Sequence, residues 1–398
     1  MQLYLQIGHG MMAHTKELIG RWGGGGAILS PRDLDEDQLR RVAAEVTSAG
    51  GEPLLDPQCY IRSADHEKLV AHSYWAAIAK HATGAFTGGP GTDALLGAIA
   101  SLASTAGIHT HIVPACIADP VDDVWLSAQA TVIRAARKHF DKEPLLATIA
   151  LSAASARDEE QVEAIIESAA EWKVKGYYVV VESPGGYLVD DPVWLTNVCL
   201  LASGLKLHHR RVVLGYAPHQ LLCLAAANVD EIACGTFLNV RSFDPEKFFE
   251  KDTDDISRRA VWYYAPESLS EYKLPFLDLA MSAGVLSDLR PPKKYQRDYS
   301  DPLFQGVQPS TVGWKETEAF RHYLDMLCQQ AREVRLGSFD DTVSTYEQRL
   351  DRAEKLIAKV SRQGVRGQDR DFRNMIDVNR SAIARLTATR GARLRRNW

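Results

Sequence analysis

The sequence lacks both a membrane-spanning stretch and a recognisable secretion signal. No apolar run approaches the roughly 18 residues that a membrane helix needs, and residues 1–7 have neither the charged region nor the cleavage signal of a secretory peptide. Cysteine is scarce too, with six residues scattered along the chain and no C-x-x-C pair. We therefore expect a cytoplasmic protein with buried thiols, no disulfide framework and no contact with a membrane.

Signatures of metal and nucleotide sites are also missing. No set of cysteines and histidines has ligand spacing, although His109 lies two residues from His111. The glycine-rich segment 86–92 precedes a helical pattern but lacks the Gly-Lys-Ser/Thr ending of a P-loop, so both a phosphate-binding loop and a plain turn stay open for it. We predict neither a metal nor another cofactor.

Lysine is absent from the last 38 residues, where the charge of the chain reverses. The whole chain carries a net charge of −5, yet residues 361–398 contain ten arginines and three aspartates. Arginine binds phosphates bidentately, so this polar tail predicts a nucleic-acid partner and little contribution to a core. The alternative is pairing with the acidic remainder of the chain or with a second subunit. The proposed nucleic-acid contacts are Arg385, Arg390, Arg393, Arg395 and Arg396.

Eight short apolar runs, separated by segments of helical period, precede residue 243. Each run is continuous rather than alternating, which is typical of parallel strands buried on both faces. The runs are 3–8, 27–30, 53–56, 111–115, 145–152, 177–182, 212–216 and 231–235. Their number and spacing favour an α/β fold, the (β/α)8 TIM barrel of about 250 residues, over a doubly wound sheet.

The pattern beyond Phe243 becomes polar, tyrosine-rich and helical. We expect residues 1–243 to form the barrel, residues 244–312 a connecting segment, and residues 313–398 a helical region with the arginine-rich tail. An extra strand at 84–87 is an alternative within the long segment after the third strand. Helices are predicted at 35–49, 65–81, 92–106, 125–140, 158–174, 193–207, 219–228, 315–334 and 340–360, with Asp35 and Asp158 as caps.

Polar residues follow most of the predicted strands, where such a barrel holds its reactive groups. Asp56 follows the third strand and Glu182 the sixth, so we expect the two carboxylates to face each other across the barrel mouth and act as acid and base. Structural ion pairs with Arg32 or Arg241 are the alternative. The other substrate-binding candidates are His9, Arg32, Gln58, Tyr60, Gly185, Gly186, Tyr216, Asn239 and Arg241.

Two segments carry a more specific signal. Residues 213–241 (VLGYAPHQLLCLAAANVDEIACGTFLNVR) resemble the seventh strand, helix and eighth strand of the tRNA-guanine transglycosylases, which lead to an Arg-bearing loop. Residues 54–60 (LLDPQCY) are similar to that family's third-strand segment, whose aspartate contacts the base. The resemblance implies a TIM barrel that acts on a purine-type base in nucleic acid, for example as one of the 7-deazaguanine-inserting DNA enzymes, with Asp56 as the base-contacting residue.

Two departures from that family's pattern change the expected chemistry. The family's nucleophilic aspartate precedes a cysteine in the eighth strand, whereas Ala233 precedes Cys234 here, and the zinc motif of three cysteines and a histidine is absent. As a transferase or glycosidase, the chain would use Glu182 as substitute carboxylate in base exchange or cleavage of an N-glycosidic bond. The alternative is a catalytically inactive subunit that binds nucleic acid or a partner within a homo-oligomer or multi-protein complex.

Overall fold

The computed structural model describes residues 1–81, 84–250 and 260–398. Within these ranges eight parallel strands pair in sequence order, and β1 closes the barrel by pairing with both β2 and β8. The predicted TIM barrel is therefore confirmed. The strands are β1 Gln2–Gln6, β2 Gly26–Leu29, β3 Glu52–Leu55, β4 His111–Val113, β5 Leu145–Leu151, β6 Gly176–Val181, β7 Arg211–Leu214 and β8 Glu231–Cys234.

The outer layer consists of helices that follow the strands. Asp35 caps α2 through a capping box with Gln38, and Asp158 accepts two backbone N–H groups at the start of α8, as predicted. None of the helices in the described ranges is long and apolar enough to cross a membrane. The barrel helices are α1 Met12–Trp22, α2 Glu36–Ser48, α3 Glu67–Val70, α4 Trp75–His81, α5 Pro90–Thr105, α6 Asp123–His139, α7 Ala153–Arg157, α8 Glu159–Ala170 and α9 Pro192–Lys206.

Three local predictions are wrong. The helix predicted over 65–81 is divided into α3 and α4 by a turn at residues 71–74. Residues Gly84–Phe86 form a 3-10 turn rather than a strand. The predicted α-helix between β7 and β8 is a 3-10 helix over His219–Ala225, and each of its residues is buried. A 3-10 helix rises about 2.0 Å per residue, more than an α-helix, and so spans a short connection with fewer residues.

Small residues let other side chains fill the upper end of the barrel. A Cβ on Gly8 would lie 2.9 Å from Val240, and one on Gly235 would lie 2.3 Å from the same side chain. A Cβ on Gly215 would lie 2.4 Å from the Tyr178 hydroxyl. Val240 and Tyr178 therefore occupy the space that side chains at the three glycines would otherwise take.

The segment predicted as a connection contains a β-hairpin and shares a small second core with the C-terminal helical region. Strands β9 Trp262–Ala265 and β10 Ser270–Lys273 pair antiparallel, and α10 Leu274–Ser282 follows directly. Tyr263 and Leu277 belong to an apolar cluster separate from that of the barrel. The turn-rich stretch after α10 carries short 3-10 turns, namely Leu286–Leu289, Asp301–Phe304 and Pro309–Thr311.

Three long helices complete the chain: α11 Glu316–Val334, α12 Phe339–Ser361 and α13 Met375–Arg396. The first two match their predicted positions. The expectation that the tail contributes little to a core is wrong, because α13 packs along α9 and buries an apolar face. That face comprises Met375, Ile376, Val378, Ala382, Ile383, Leu386 and Leu394.

The cysteines are free thiols, as predicted. Five of them are buried and Cys116 is half-buried. They lie within the apolar packing of the barrel and of α11 and take no part in the polar networks described below, apart from a 3.8 Å contact between the Cys234 sulfur and the Tyr323 hydroxyl.

Candidate functional site

The carboxylate of Asp56 lies in a ring of phenols at the carboxyl end of β3. Its Oδ2 accepts hydrogen bonds from the Tyr60 hydroxyl at 2.8 Å and the Tyr178 hydroxyl at 3.1 Å. Its Oδ1 accepts the backbone N–H of Gln58 at 2.9 Å. Burial raises the pKa of Asp56 to about 6, although these hydrogen bonds favour the charged form.

Gln58 joins several predicted site residues in one network. Its Nε2 donates to the Tyr216 hydroxyl at 3.0 Å and to Ser30 Oγ at 2.9 Å, and its Oε1 accepts the backbone N–H of Arg32 at 2.9 Å. Gln58 and Tyr216 both have left-handed backbones, with φ of 53° and 54°. Such strain is held only where surrounding contacts over-determine it, so this network is a rigid part of the barrel mouth.

Aromatic side chains cover this network from above. Phe243 and Phe248, which follow β8, lie 5.0 Å and 5.6 Å from the Tyr60 ring, centroid to centroid. The Arg32 guanidinium lies 5.0 Å from the Phe248 ring. Asp56 is only 1% exposed, so its carboxylate is shielded from solvent.

Glu182 has different partners from Asp56. Its Oε2 accepts the backbone N–H of Ala153 at the start of α7, at 2.8 Å, and its backbone pairs with that of Phe243. Neither carboxylate forms an ion pair with Arg32 or Arg241 within the described residues. The two carboxylates share no hydrogen-bond partner among those residues, so they belong to separate networks.

The remaining candidates on the loops lie at the surface or near it. His9 and the pair Gly185 and Gly186 are exposed or partly exposed, and both glycines have positive φ. Asn239 lies in a 3-10 turn after β8 and is not buried. Ala233, where the resemblance would place a nucleophile, is fully buried and in register with Tyr4 of β1.

A pocket of about 340 Å³ opens above β8, next to the barrel mouth. Its walls include aromatic, apolar and charged side chains from the loop after β8, the β9–β10 hairpin, α11 and the loop before α13. Thr236 is 2% exposed, and its hydroxyl has no hydrogen-bond partner within the described residues. The lining residues are Thr236, Phe237, Leu238, Arg241, Ala260, Val261, Trp262, Glu271, Glu316, Ala319, Phe320 and Arg370.

A buried charge cluster forms one side of this pocket. Glu271 accepts hydrogen bonds from Arg241 Nη1 at 3.1 Å, from Arg370 Nη1 at 2.8 Å and from the Tyr187 hydroxyl at 2.7 Å. Burial alone would raise the pKa of Glu271, but the two arginines outweigh it and lower that pKa to about 2. Burial lowers the pKa of the neighbouring His219 to about 4, so this imidazole is neutral at pH 7.

Both arginines of the cluster also stack on aromatic rings. The Arg241 guanidinium carbon lies 3.5 Å from the centroid of the Tyr323 ring, and that of Arg370 lies 4.2 Å from the Trp262 ring. Arg241 was predicted from the sequence as a site residue. Glu271 and Trp262 were missed because they belong to a hairpin outside the barrel, and Arg370 was predicted only as part of the arginine-rich tail.

The arginines of the tail are largely paired with acids of neighbouring helices. Arg385 pairs with Glu159 at 3.4 Å, Arg390 with Glu163, and Arg395 with Asp340 at 2.9 Å. These three arginines therefore follow the alternative stated for this segment, which is pairing with the acidic remainder of the chain. Arg393 and Arg396 form no ion pair with any described residue.

Metal-ligating side chains do not cluster. In residues 1–81, 84–250 and 260–398, no group of three or more histidine, cysteine, aspartate or glutamate side chains could hold a metal ion.

Comparison with known proteins gives a likeness in fold. No family model and no curated protein matches the sequence. Among solved structures, the carboxyl transferase domain of Rhizobium etli pyruvate carboxylase with 3-bromopyruvate is 14% identical, with a TM-score of 0.35, over 87% of this chain. The same domain with pyruvate and biocytin is 13% identical, with a TM-score of 0.37, and the match covers 98% of this chain and 77% of that one. This chain spans 65% of the first of these structures, and likeness at this level carries no argument about activity.

Proposed function

We propose that this protein binds a purine-type base of nucleic acid in the pocket above β8, without the base exchange that the resemblance implies. The observation that carries the proposal is the composition of that pocket. Flat aromatic side chains, Phe237, Trp262 and Phe320, surround polar groups that include the hydroxyl of Thr236. Bases are bound by stacking on such rings and by hydrogen bonds to their edges. A volume of about 340 Å³ lies at the small end of ligand pockets.

The same geometry argues against turnover at the barrel centre. Ala233 cannot act as a nucleophile, and the buried Asp56 already accepts three hydrogen bonds. Phe243 and Phe248 pack on Tyr60, which donates a hydrogen bond to this carboxylate, and Asp56 is 1% exposed, so its oxygens are shielded from solvent. Recognition without catalysis is therefore the function that this arrangement supports best.

Calorimetric titration of the purified protein with guanosine, adenosine and uridine tests the proposal. We expect a purine nucleoside to bind and uridine to bind more weakly. Trp262→Ala or Phe320→Ala should weaken purine binding roughly tenfold to a hundredfold, the usual loss for one stacked base. Thr236→Val should also weaken it, whereas Thr47→Val, on α2 and outside the pocket, should not. Absence of purine binding at millimolar concentration would overturn the proposal.

A second function, cleavage or exchange of an N-glycosidic bond, is favoured by one observation. Asp56 has a pKa of about 6, which suits an acid or base near neutral pH. In this mechanism Asp56 contacts or protonates the base, and Glu182 stabilises the developing cationic sugar. Release of a free base from an oligonucleotide, lost in both Asp56→Asn and Glu182→Gln, would establish it. If both variants keep full biological activity, the enzymatic function is excluded.

A further inference from the structure

Among the described residues, the buried cluster beside the pocket holds more positive groups than negative ones. Two guanidinium groups, Arg241 and Arg370, face the single carboxylate of Glu271, and all three side chains are mostly buried. Burial lowers the pKa of His219 to about 4 and raises the pKa of the Cys234 thiol to about 11, so both groups are neutral at pH 7. Among the described residues, the cluster itself therefore carries one net positive charge in a region of low dielectric, where an added anion is stabilised.

The described phenols of the cluster do not supply an anion. Tyr187 and Tyr323 are buried phenols whose pKa burial raises well above the usual value, so both are uncharged at pH 7. Glu316, the remaining acid on the described pocket lining, is the first residue of α11 and forms no ion pair with any described arginine. Its carboxylate lies on the lining of the same pocket, so its negative charge opposes the binding of an anion there.

Arg370 also keeps hydrogen-bonding capacity. Arg370 Nε is buried and has no partner within the described residues, and the same holds for the Thr236 hydroxyl on the same lining. Stacking on Trp262 and Tyr323 holds the two guanidinium planes in place. Preorganised guanidinium groups of this kind suit the several oxygens of a phosphate, which accept parallel N–H bonds.

We infer that Arg241 and Arg370 bind a phosphate group, so that the pocket takes a phosphorylated nucleoside rather than a free base. The base part of this ligand rests on the function proposed above, whereas the phosphate part rests on the charge cluster alone. The phosphate can belong to a free nucleotide or to the backbone of a strand, since both present the same oxygens. The loop that carries Arg370, before α13, then becomes part of the binding site.

Titration of the full-length protein with guanosine, guanosine monophosphate, inorganic phosphate and a short single-stranded oligonucleotide tests the inference. We expect the monophosphate to bind at least roughly tenfold more tightly than the nucleoside, because hydrogen bonds between charged groups are about twice as strong as neutral ones. Arg370→Gln should remove this advantage, so that the monophosphate and the nucleoside bind to this variant with similar affinity. Arg370→Lys keeps the positive charge but loses the bidentate guanidinium group, so it should retain part of the preference for the monophosphate.

Two further variants serve as controls. Arg373→Gln changes an exposed arginine three residues away whose partner is Ser361, and it should leave the affinity for the monophosphate unchanged. Glu316→Gln removes the other acid on the described lining and should tighten monophosphate binding. A melting curve of each variant establishes that it is folded before it is titrated.

The outcomes separate this inference from the function on which it partly rests. Equal affinity for nucleoside and monophosphate overturns the phosphate inference and leaves base recognition standing. Binding of inorganic phosphate that Arg370→Gln abolishes, with no binding of any nucleoside, supports the phosphate site and overturns base recognition. Binding of the oligonucleotide but not of the monophosphate identifies a strand as the source of the phosphate.

Discussion

The hydroxyl of Tyr178 on β6 donates a hydrogen bond of 3.1 Å to Oδ2 of Asp56, which follows β3 three strands away around the barrel. Tyr60, four residues after Asp56, donates to the same oxygen. The carboxylate thus ties two distant strands together through groups that remain neutral at ordinary pH. Its own ionisation is the variable part of the arrangement, and this makes the stability of the barrel depend on pH.

Asp56→Asn tests this dependence. The pKa of Asp56 is about 6 in the folded chain, against 3.8 for an ordinary aspartate, so its stabilising contribution is fully present below pH 3.8 and is lost as the pH rises through 6. Between pH 4 and pH 8, the free energy of unfolding of the variant should rise relative to that of the wild type by at most about 3 kcal/mol, because the wild type loses this contribution. Urea denaturation at several pH values measures it. Asp190→Asn, at an exposed position, is the control. If the difference in free energy of unfolding between Asp56→Asn and the wild type is the same at pH 4 and pH 8, the prediction is contradicted.

The eight strands were predictable because continuous apolar runs bounded by turn residues and separated by helical segments are characteristic of buried parallel strands. Residues 145–152, for example, contain β5, whose residues are all buried. The 3-10 helix over His219–Ala225 was not predictable, because an apolar run buried on all sides fits either kind of helix.

The site was only partly predictable. Asp56, Gln58, Tyr60 and Tyr216 lie in one network because strand ends of a barrel converge, which a rule about topology captures. Glu271 was missed because it belongs to a hairpin outside the barrel. Two β-type runs separated by the four residues 266–269 were the available signal for that hairpin, but nothing in the local pattern indicates that one of its carboxylates meets two distant arginines.

Gly8→Ala should destabilise the barrel by about 1–3 kcal/mol, since its new Cβ would lie 2.9 Å from Val240 and force a shift. Because the obstacle is one side chain, Val240→Ala should relieve the strain in the double variant, so that the two costs are less than additive. Thermal or chemical denaturation of the three variants gives the coupling energy.

Gly235→Ala is the matched control. Its Cβ would meet Val240 at 2.3 Å but also the backbone oxygen of Gln6 at 2.5 Å. A side-chain substitution cannot remove this backbone oxygen. Val240→Ala should therefore restore less of the stability lost in Gly235→Ala than of the stability lost in Gly8→Ala. Equal rescue at both positions would show that the backbone contact does not matter.

Glu271→Gln should cost about 3–5 kcal/mol at pH 7, because it leaves the buried Arg241 and Arg370 without their carboxylate. The pKa of Glu271 is about 2 in the folded chain, below the 4.5 of an ordinary glutamate. Its contribution is therefore present above pH 4.5 and is lost as the pH falls through 2. The difference in free energy of unfolding between wild type and variant should therefore become smaller as the pH falls from 4.5 to 2. Urea titrations at several pH values measure it.

Glu267→Gln is the control in the same hairpin. Glu267 pairs with Arg352 at 3.3 Å at a site where both side chains are partly exposed, and such pairs contribute about 1 kcal/mol or less. A similar loss in the two variants would contradict the special role assigned to the buried cluster.

Removal of the chain from Gln363 onward should lower the melting temperature strongly, because α13 covers an apolar face of α9. Truncation therefore cannot test nucleic-acid binding, and point variants are needed. Leu386→Ala, at a fully buried position, should cost about 2–5 kcal/mol. Arg396→Gln, at an exposed position without an ion pair to any described residue, should change stability by less than about 0.5 kcal/mol.

The double variant Arg393→Gln and Arg396→Gln then distinguishes two roles of the tail, which are binding of nucleic acid and attachment of α13 to the rest of the protein. It keeps the fold while removing two exposed cations that have no acidic partner within the described residues. If these arginines bind phosphates of nucleic acid, affinity should fall, and the slope of log affinity against log salt should decrease by about one unit for each phosphate that is no longer bound. Arg395→Gln, which removes a cation already paired with Asp340, should have a smaller effect. If the double variant binds nucleic acid as the wild type does, the arginines of the tail serve to attach α13 to the barrel and α12, and the contact with nucleic acid must be sought at the pocket above β8.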